Sequence, residues 1–171
     1  MSKKNVKIVV DSDVLIHFAK GGVLSLLPGI FLEYQYVILK NVYDEVRTLH
    51  TQLDNQIHFL KNIVLEEFAP TGEMLLEYAN LRNTFGDGES ACMAYCKFNH
   101  DVVGSSNLKD IKEYCNAHGI TYVTTLDFLY YAFKRDILTA DECNKIIQTV
   151  RTHGSKLPDM TIGEYSCPVE L

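Results

Sequence analysis

Asp11, Asp13, Glu45, Asp87, Glu89 and Asp110 are acids placed where the chain turns or a helix begins. Asp11 and Asp13 directly follow the apolar run Lys7-Ile8-Val9-Val10, and Asp87 and Glu89 lie in the break Gly86-Asp87-Gly88-Glu89. Asp110 follows Val102-Val103 by about a helical turn, and Glu45 falls in the first turns of a helix. If those strand ends share one edge of a sheet, several carboxylates converge, and such a cluster is stable only when a hard cation neutralises it. Mg²⁺ or Mn²⁺ held there can lower the pKa of an attacking water and stabilise a pentavalent phosphate. Taken singly, each acid also suits a helix first turn or a strand-ending turn. Asp11, at the end of the first strand, is the best individual candidate.

The elements that must carry these acids alternate. Residues 7–10 read as a strand, and residues 14–20 as a short helix stopped by Gly21-Gly22. Val37-Ile38-Leu39 is a second strand, followed by a helix with Asn41 as N-cap and Val42, Val46 and Leu49 on one face. Residues 63–65 form a third strand, and a helix capped by Thr71 runs to about Phe85. The small residues from Ala91 to Phe98 suit a helix packed closely on a sheet. A strand at 102–103, a helix at 108–117, a strand at 120–123 and helices at 126–135 and 141–152 complete the order, with Gly119 and Gly154 where C-terminal caps belong. Strands spaced by helices predict an α/β protein with a parallel sheet covered by helices. In such sheets ligands collect outside the carboxyl ends of the strands.

No repeat, low-complexity stretch or linker divides the 171 residues, which predicts one domain over 1–171, with residues 158–171 as a strand or a loose C-terminal arm. At 47% hydrophobic and 22% charged the chain is globular in composition, and it is long enough to bury a core without disulfides or structural metal. No apolar run reaches the ~18 residues of a membrane span, and the basic start through Lys3 and Lys4 leads only into a short strand. Secretion and membrane insertion are therefore disfavoured. The odd, scattered Cys92, Cys96, Cys115, Cys143 and Cys167 make no disulfide framework, so a reducing cytoplasmic setting is expected. A net charge of −6 argues against a protein that coats nucleic acid nonspecifically, but not against acids gathered in a metal site. The absence of G-x₄-G-K-[ST] argues against a P-loop phosphotransferase.

Val9-Val10-Asp11-Ser12-Asp13-Val14-Leu15-Ile16, Val42-Tyr43-Asp44-Glu45-Val46 and Gly86-Asp87-Gly88-Glu89-Ser90-Ala91, in that order, resemble the PIN-domain nucleases, the family that includes the toxin ribonucleases of toxin–antitoxin modules. The later stretch Gly119-Ile120-Thr121-Tyr122-Val123-Thr124-Thr125-Leu126 is similar to the family's closing strand and helix. The resemblance spans about residues 5–158. It implies a three-layer α/β/α domain on a parallel sheet of about five strands, and an Mg²⁺- or Mn²⁺-dependent endoribonuclease that acts on RNA. It further implies an antitoxin protein or a second copy of the chain as partner. By position, Asp11 matches the first metal-binding acid, Ser12 the hydroxyl after it, Glu45 the second acid and Glu89 the third, with Asp87 as alternative. Asp13 stands where the family often has Asn or Ser.

The chain departs from the family at the fourth acid. Where Thr-Asp-Asp is common, it carries Ser105-Ser106-Asn107. Asn107 can hydrogen-bond a metal water and Asp110 can reach in from the next turn, or the two can form a capping box for the helix starting at Leu108. The loss leaves open a catalytically weak PIN-like module that binds RNA or protein without cutting.

Other groups read as structural. Cys92 and Cys96 share a helix face and Cys115 precedes His118 by three residues, but reduced cysteines are usually small buried hydrophobes and no C-x₂-C pair exists. His17 reads as a packed helix residue, and Tyr130, Tyr131 and Phe133 as core aromatics. Lys145, Arg151, His153 and Lys156 form an acid-free strip that could follow a phosphate backbone or be a solvated helix face.

Overall fold

The β-branched runs assemble into one parallel sheet. In the computed structural model, which describes residues 5–171, the strands are β1 (Lys7–Val10), β2 (Gln35–Leu39), β3 (Ile63–Glu66), β4 (Val102–Gly104) and β5 (Tyr122–Val123). Lys3 and Lys4 of the basic start lie outside the described residues. The spatial order is β3-β2-β1-β4-β5, with every pairing parallel. Ile8, Val9, Val10, Val37, Ile38 and Leu39 are fully buried, so β1 and β2 are covered on both faces. Unbroken apolar runs, rather than alternation, are what such two-sided burial requires.

The helices are α1 (Ser12–Lys20), α2 (Lys40–Glu45), α3 (His50–Asp54), α4 (Gly72–Leu81), α5 (Asp87–Asn99), α6 (Leu108–His118), α7 (Thr125–Lys134) and α8 (Ala140–Thr152). Alanines and cysteines let α5 lie against β1 and β2 between α4 and α6, while α1, α7 and α8 pack on one another. The result is a three-layer α/β/α domain around a five-stranded parallel sheet. Among the described residues no helix is long and apolar enough to cross a membrane.

The order of strands determines where a site can form. From β1 the chain steps to β2 and β3 on one side, then crosses back to β4 and β5 on the other. The direction of winding therefore reverses between β1 and β4, and the crevice beyond their carboxyl ends is the topological switch point. Asp11 is the first residue past β1, and its N–H donates to the Gly104 carbonyl at the end of β4 over 2.8 Å.

Several local expectations are corrected. Asn41 caps nothing: it lies inside α2, with Leu39 at the cap position. The helix expected to continue through Leu49 breaks at Val46 into a 3₁₀ turn (Arg47–Leu49), α3 and a π-helical turn (Asn55–Leu60). Val46, Leu49 and Leu53 remain buried across the break, and the His50 ring donates from Nε2 to the Tyr43 carbonyl over 2.7 Å, a partner for a carbonyl at the end of α2. α4 stops at Leu81 rather than near Phe85, α5 opens at Asp87 rather than near Ala91, and β5 is shorter than 120–123. The segment after Pro158 forms no strand; it is an arm held to α7, where the Tyr165 hydroxyl donates to Asp127 and the Tyr131 hydroxyl donates to the Val169 carbonyl.

Candidate functional site

Asp11, Ser12, Asp13, Glu45, Gly86, Glu89 and Asn107 line a cleft of about 180 Å³ at the switch point. Asp11 is 4% exposed, and its Oδ1 accepts the Ser12 N–H at 2.7 Å, so the carboxylate also caps α1. Asp13, in the first turn of the same helix, accepts the Ser106 N–H at 2.7 Å on Oδ2, which ties α1 to the loop after β4. Glu45 reaches from the last residue of α2 to α5, where its Oε1 accepts the Gly88 N–H at 2.8 Å. Gly88 is required by this approach, since a Cβ there would sit 2.7 Å from Glu45 Oε2. Glu89 projects from the first turn of α5, and Asn107 donates from Nδ2 to Glu89 Oε1 at 2.6 Å and to Asp110 Oδ2 at 2.7 Å.

These groups share a strained electrostatic environment. Burial, then Asp13, Glu89 and Glu45, push the Asp11 carboxyl well above the ordinary carboxylate range, against the Ser12 N–H that favours its ionised form. Glu89 is pushed up to about 7, first by burial and then by Asp110, Asp13 and Glu45, although the Asn107 amide opposes the shift. Asp13 is also raised, chiefly by burial, with the Ser106 N–H working against it. Among the described residues no lysine, arginine or histidine stands in the wall. An all-oxygen donor set with excess negative charge suits a hard divalent cation. As placed, however, no three His, Cys, Asp or Glu side chains among the described residues form a ready set of metal ligands. Backbone and amide N–H donors hold Glu45, Glu89 and Asp13, so gathering them on one point requires these carboxylates to re-aim.

Not every candidate acid faces the cleft. Asp87 is turned to the outer flank of α5, where it accepts from Asn41 Nδ2 at 3.0 Å and from the Tyr78 hydroxyl, with Arg82 Nε 3.5 Å away. Burial opposes ionisation there, but Tyr78, Asn41 and Arg82 prevail and keep its carboxyl below the usual range. As placed, these partners hold it outside the lining of the cleft. Asn107 occupies the cap position of α6 but makes no side-chain cap bond, so the capping box expected with Asp110 is replaced by the bridge to Glu89. Ser106 Oγ is directed away from the cleft, donating to Thr125 Oγ1 at 2.8 Å and accepting the Thr125 N–H at 2.7 Å. Lys145, Arg151 and Lys156 lie apart from the lining, and Arg151 donates to the Leu157 carbonyl and pairs with Asp159 at 3.5 Å.

The residues that sequence patterns did not single out are supports. Gly88 matters through its absent side chain, and Thr125 through its hydroxyl, which lies 2.8 Å from His17 Nδ1. A buried thread of hydrogen bonds thus runs from Asp13 through Ser106 and Thr125 to His17, joining the ends of β1, β4 and β5. Burial, helped by Lys20, lowers the His17 pKa to about 4, so the ring is neutral at pH 7 and acts as packing and anchor. Cys92, Cys96, Cys115 and Cys143 are buried thiols with pKa values raised by burial.

Residues 7–165 match a family model described as DUF3368, a PIN domain. No curated protein matches the chain.

Proposed function

The chain belongs to the PIN domain family, and on that premise we propose that it is a metal-dependent endoribonuclease acting from the cleft at the end of β1. The observation that carries this reading is Asp11, a carboxyl 4% exposed at the switch point, surrounded by Asp13, Glu45 and Glu89 with no cationic side chain of the described residues in the wall. Asp11, Glu45 and Glu89, with Asp13 beside them, would hold Mg²⁺ or Mn²⁺, which when bound supplies an acidified water and positive charge against a phosphate. The chain itself positions. Gly88 N–H sets Glu45 and Ser106 N–H sets Asp13, while the Ser12 hydroxyl and the Asn107 amide offer hydrogen bonds to phosphate oxygens.

A second reading has its own observation. Asn107 stands where the family commonly has an acid and holds Glu89, and no three groups are ready as ligands among the described residues. These favour a PIN-like module that binds RNA or a protein partner without cutting. Membership of the family also motivates the roles of toxin in a toxin–antitoxin pair, antitoxin partner, homodimer and cytoplasmic protein. An RNA-following strip at Lys145, Arg151 and Lys156 rests on the sequence alone.

The test is cleavage of a panel of RNAs by wild type and Asp11→Asn with Mg²⁺, Mn²⁺ or chelator. We expect metal-dependent cutting that falls by at least about a hundred-fold in the variant. Equal cutting by both proteins rejects the site, and RNA binding without cutting by wild type supports the second reading.

A further inference from the structure

A larger groove, about 520 Å³, adjoins the acidic cleft through shared walls. In the turn at 84–86, Gly86 faces the cleft while Phe85 faces the groove; in the segment 107–110, Asn107 faces the cleft while Lys109 and Asp110 face the groove. Its volume is in the range of clefts that bind small ligands. Flat rings line it: Phe85, Tyr114 and His118, the last two with centroids 4.4 Å apart. Tyr114 is locked by donation to Glu77 Oε1 at 2.7 Å, whereas His118, at the end of α6, is exposed. Lys109 is exposed in the wall of the groove, two residues beyond Asn107 of the cleft, and makes no ion pair among the described residues.

We infer that this groove is the subsite for the nucleotide next to the reacting phosphate of single-stranded RNA, with the base against Phe85, Tyr114 and His118 and the phosphate on Lys109. The inference rests on the reading of the cleft as a phosphodiester site. Continuity of the two walls carries it: a strand with a phosphate at Asp11 must pass the turn at 84–86 or the start of α6. Charge then sets the direction. Asp110 and Glu113 line the groove and repel phosphate, so a backbone is admitted only along Lys109 while the base turns to the rings. Stacking on aromatic faces needs an unpaired base, which selects single strands over duplex.

The experiment measures binding of a fluorescein-labelled ten-nucleotide RNA, single-stranded or duplex, to full-length chains carrying Asp11→Asn to prevent turnover. Adding Lys109→Ala and His118→Ala together should weaken single-strand binding roughly five- to thirty-fold and lower the slope of log affinity against log salt by about one. Glu113→Lys should tighten binding, and the same charge change at Asp141→Lys on α8 should not. Thermal unfolding checks that each chain is folded, and Lys109, Glu113, His118 and Asp141 are all exposed. Unchanged affinity in the double variant, equal effects of Glu113→Lys and Asp141→Lys, or equal binding of duplex overturns the subsite. If wild type still cuts RNA in that case, the nuclease reading stands without it. If wild type neither binds nor cuts RNA with Mg²⁺ or Mn²⁺, the reading of the cleft fails and the subsite with it.

Discussion

Lys7, Glu66 and Tyr95 close a polar cluster between strands and α5: Lys7 Nζ lies 2.8 Å from Glu66 Oε1 and 2.7 Å from the Tyr95 hydroxyl, which itself donates to Glu66. The cleft also removes carboxylates from water, but its neighbours for Asp11 are Asp13, Glu45 and Glu89. The outcomes are opposite. Burial would raise Glu66, yet Lys7 and Tyr95 hold it below its ordinary range, whereas Asp11 and Glu89 are driven up. The same contrast recurs within α5, where Asp87 is satisfied by Tyr78, Asn41 and Arg82 and Glu89, two residues on, meets only an amide. The described residues that supply partners to Glu66 and Asp87 supply no cation to the lining of the cleft, the contrast on which the proposed cation site rests.

Adding the missing charge is the strongest way to erase the contrast. At a hundred-fold excess over Kd, Mg²⁺ or Mn²⁺ should stabilise the fold by about 2.7 kcal/mol, a rise in melting temperature of roughly 5–10 °C by scanning calorimetry. Asp11→Asn should lose that increment; an equal rise in both proteins would place the ion elsewhere.

Removing the charge from the satisfied cluster is the converse. Lys7→Met leaves Glu66 half-buried without its cation and should destabilise by about 2 kcal/mol in urea unfolding. Part of the loss should return in Lys7→Met with Glu66→Gln. No recovery would mean that lost packing, rather than the unpaired acid, dominates.

Asn107→Asp sharpens the comparison from inside the cleft. It replaces an amide donor to Glu89 and Asp110 with a further carboxylate, so the metal-free chain should lose about 1 kcal/mol while metal affinity, followed by titration calorimetry, tightens. A substitution silent in both would reduce Asn107 to a helix-capping residue, for which Asp serves equally well.

The smallest effect is on pH dependence, because Glu89 is only half-buried and partly screened. Its carboxyl lies at about 7 in the folded chain against an ordinary 4.5, so in that window the folded state holds a proton that the unfolded state has released. Raising pH from about 4.5 to 7 should therefore lower metal-free stability, with Asp11 acting in the same direction. Glu89→Gln should flatten the profile; a stability that instead rose through this window, unaltered by the variant, would contradict the raised pKa.

Much of the fold is legible in the chain because its local and global signals agree. Runs such as Ile8-Val9-Val10 and Val37-Ile38-Leu39 are apolar at every position and prove buried on both faces. Between residues 40 and 60 the apolar spacing shows the buried face but not the breaks: Val42, Val46, Leu49 and Leu53 are all buried, while the backbone divides at Val46. At the site, Asp11 is legible as the acid ending a β-rich run, and Glu45 and Glu89 through the resemblance to PIN-domain motifs.

By itself the sequence determined the alternation of strand and helix and the placement of acids at its turns, since burial periodicity and turn chemistry act over a few residues. Only the tertiary structure decided which acids go unpaired. Asp87 and Glu89 have the same local context, but one faces Tyr78 on α4 and Arg82 just after it, and the other faces Asn107 across the cleft. Ionisation depends on what lies within a few ångströms in space and on how much water remains there. Those neighbours come from segments far apart in sequence, brought together by the order β3-β2-β1-β4-β5.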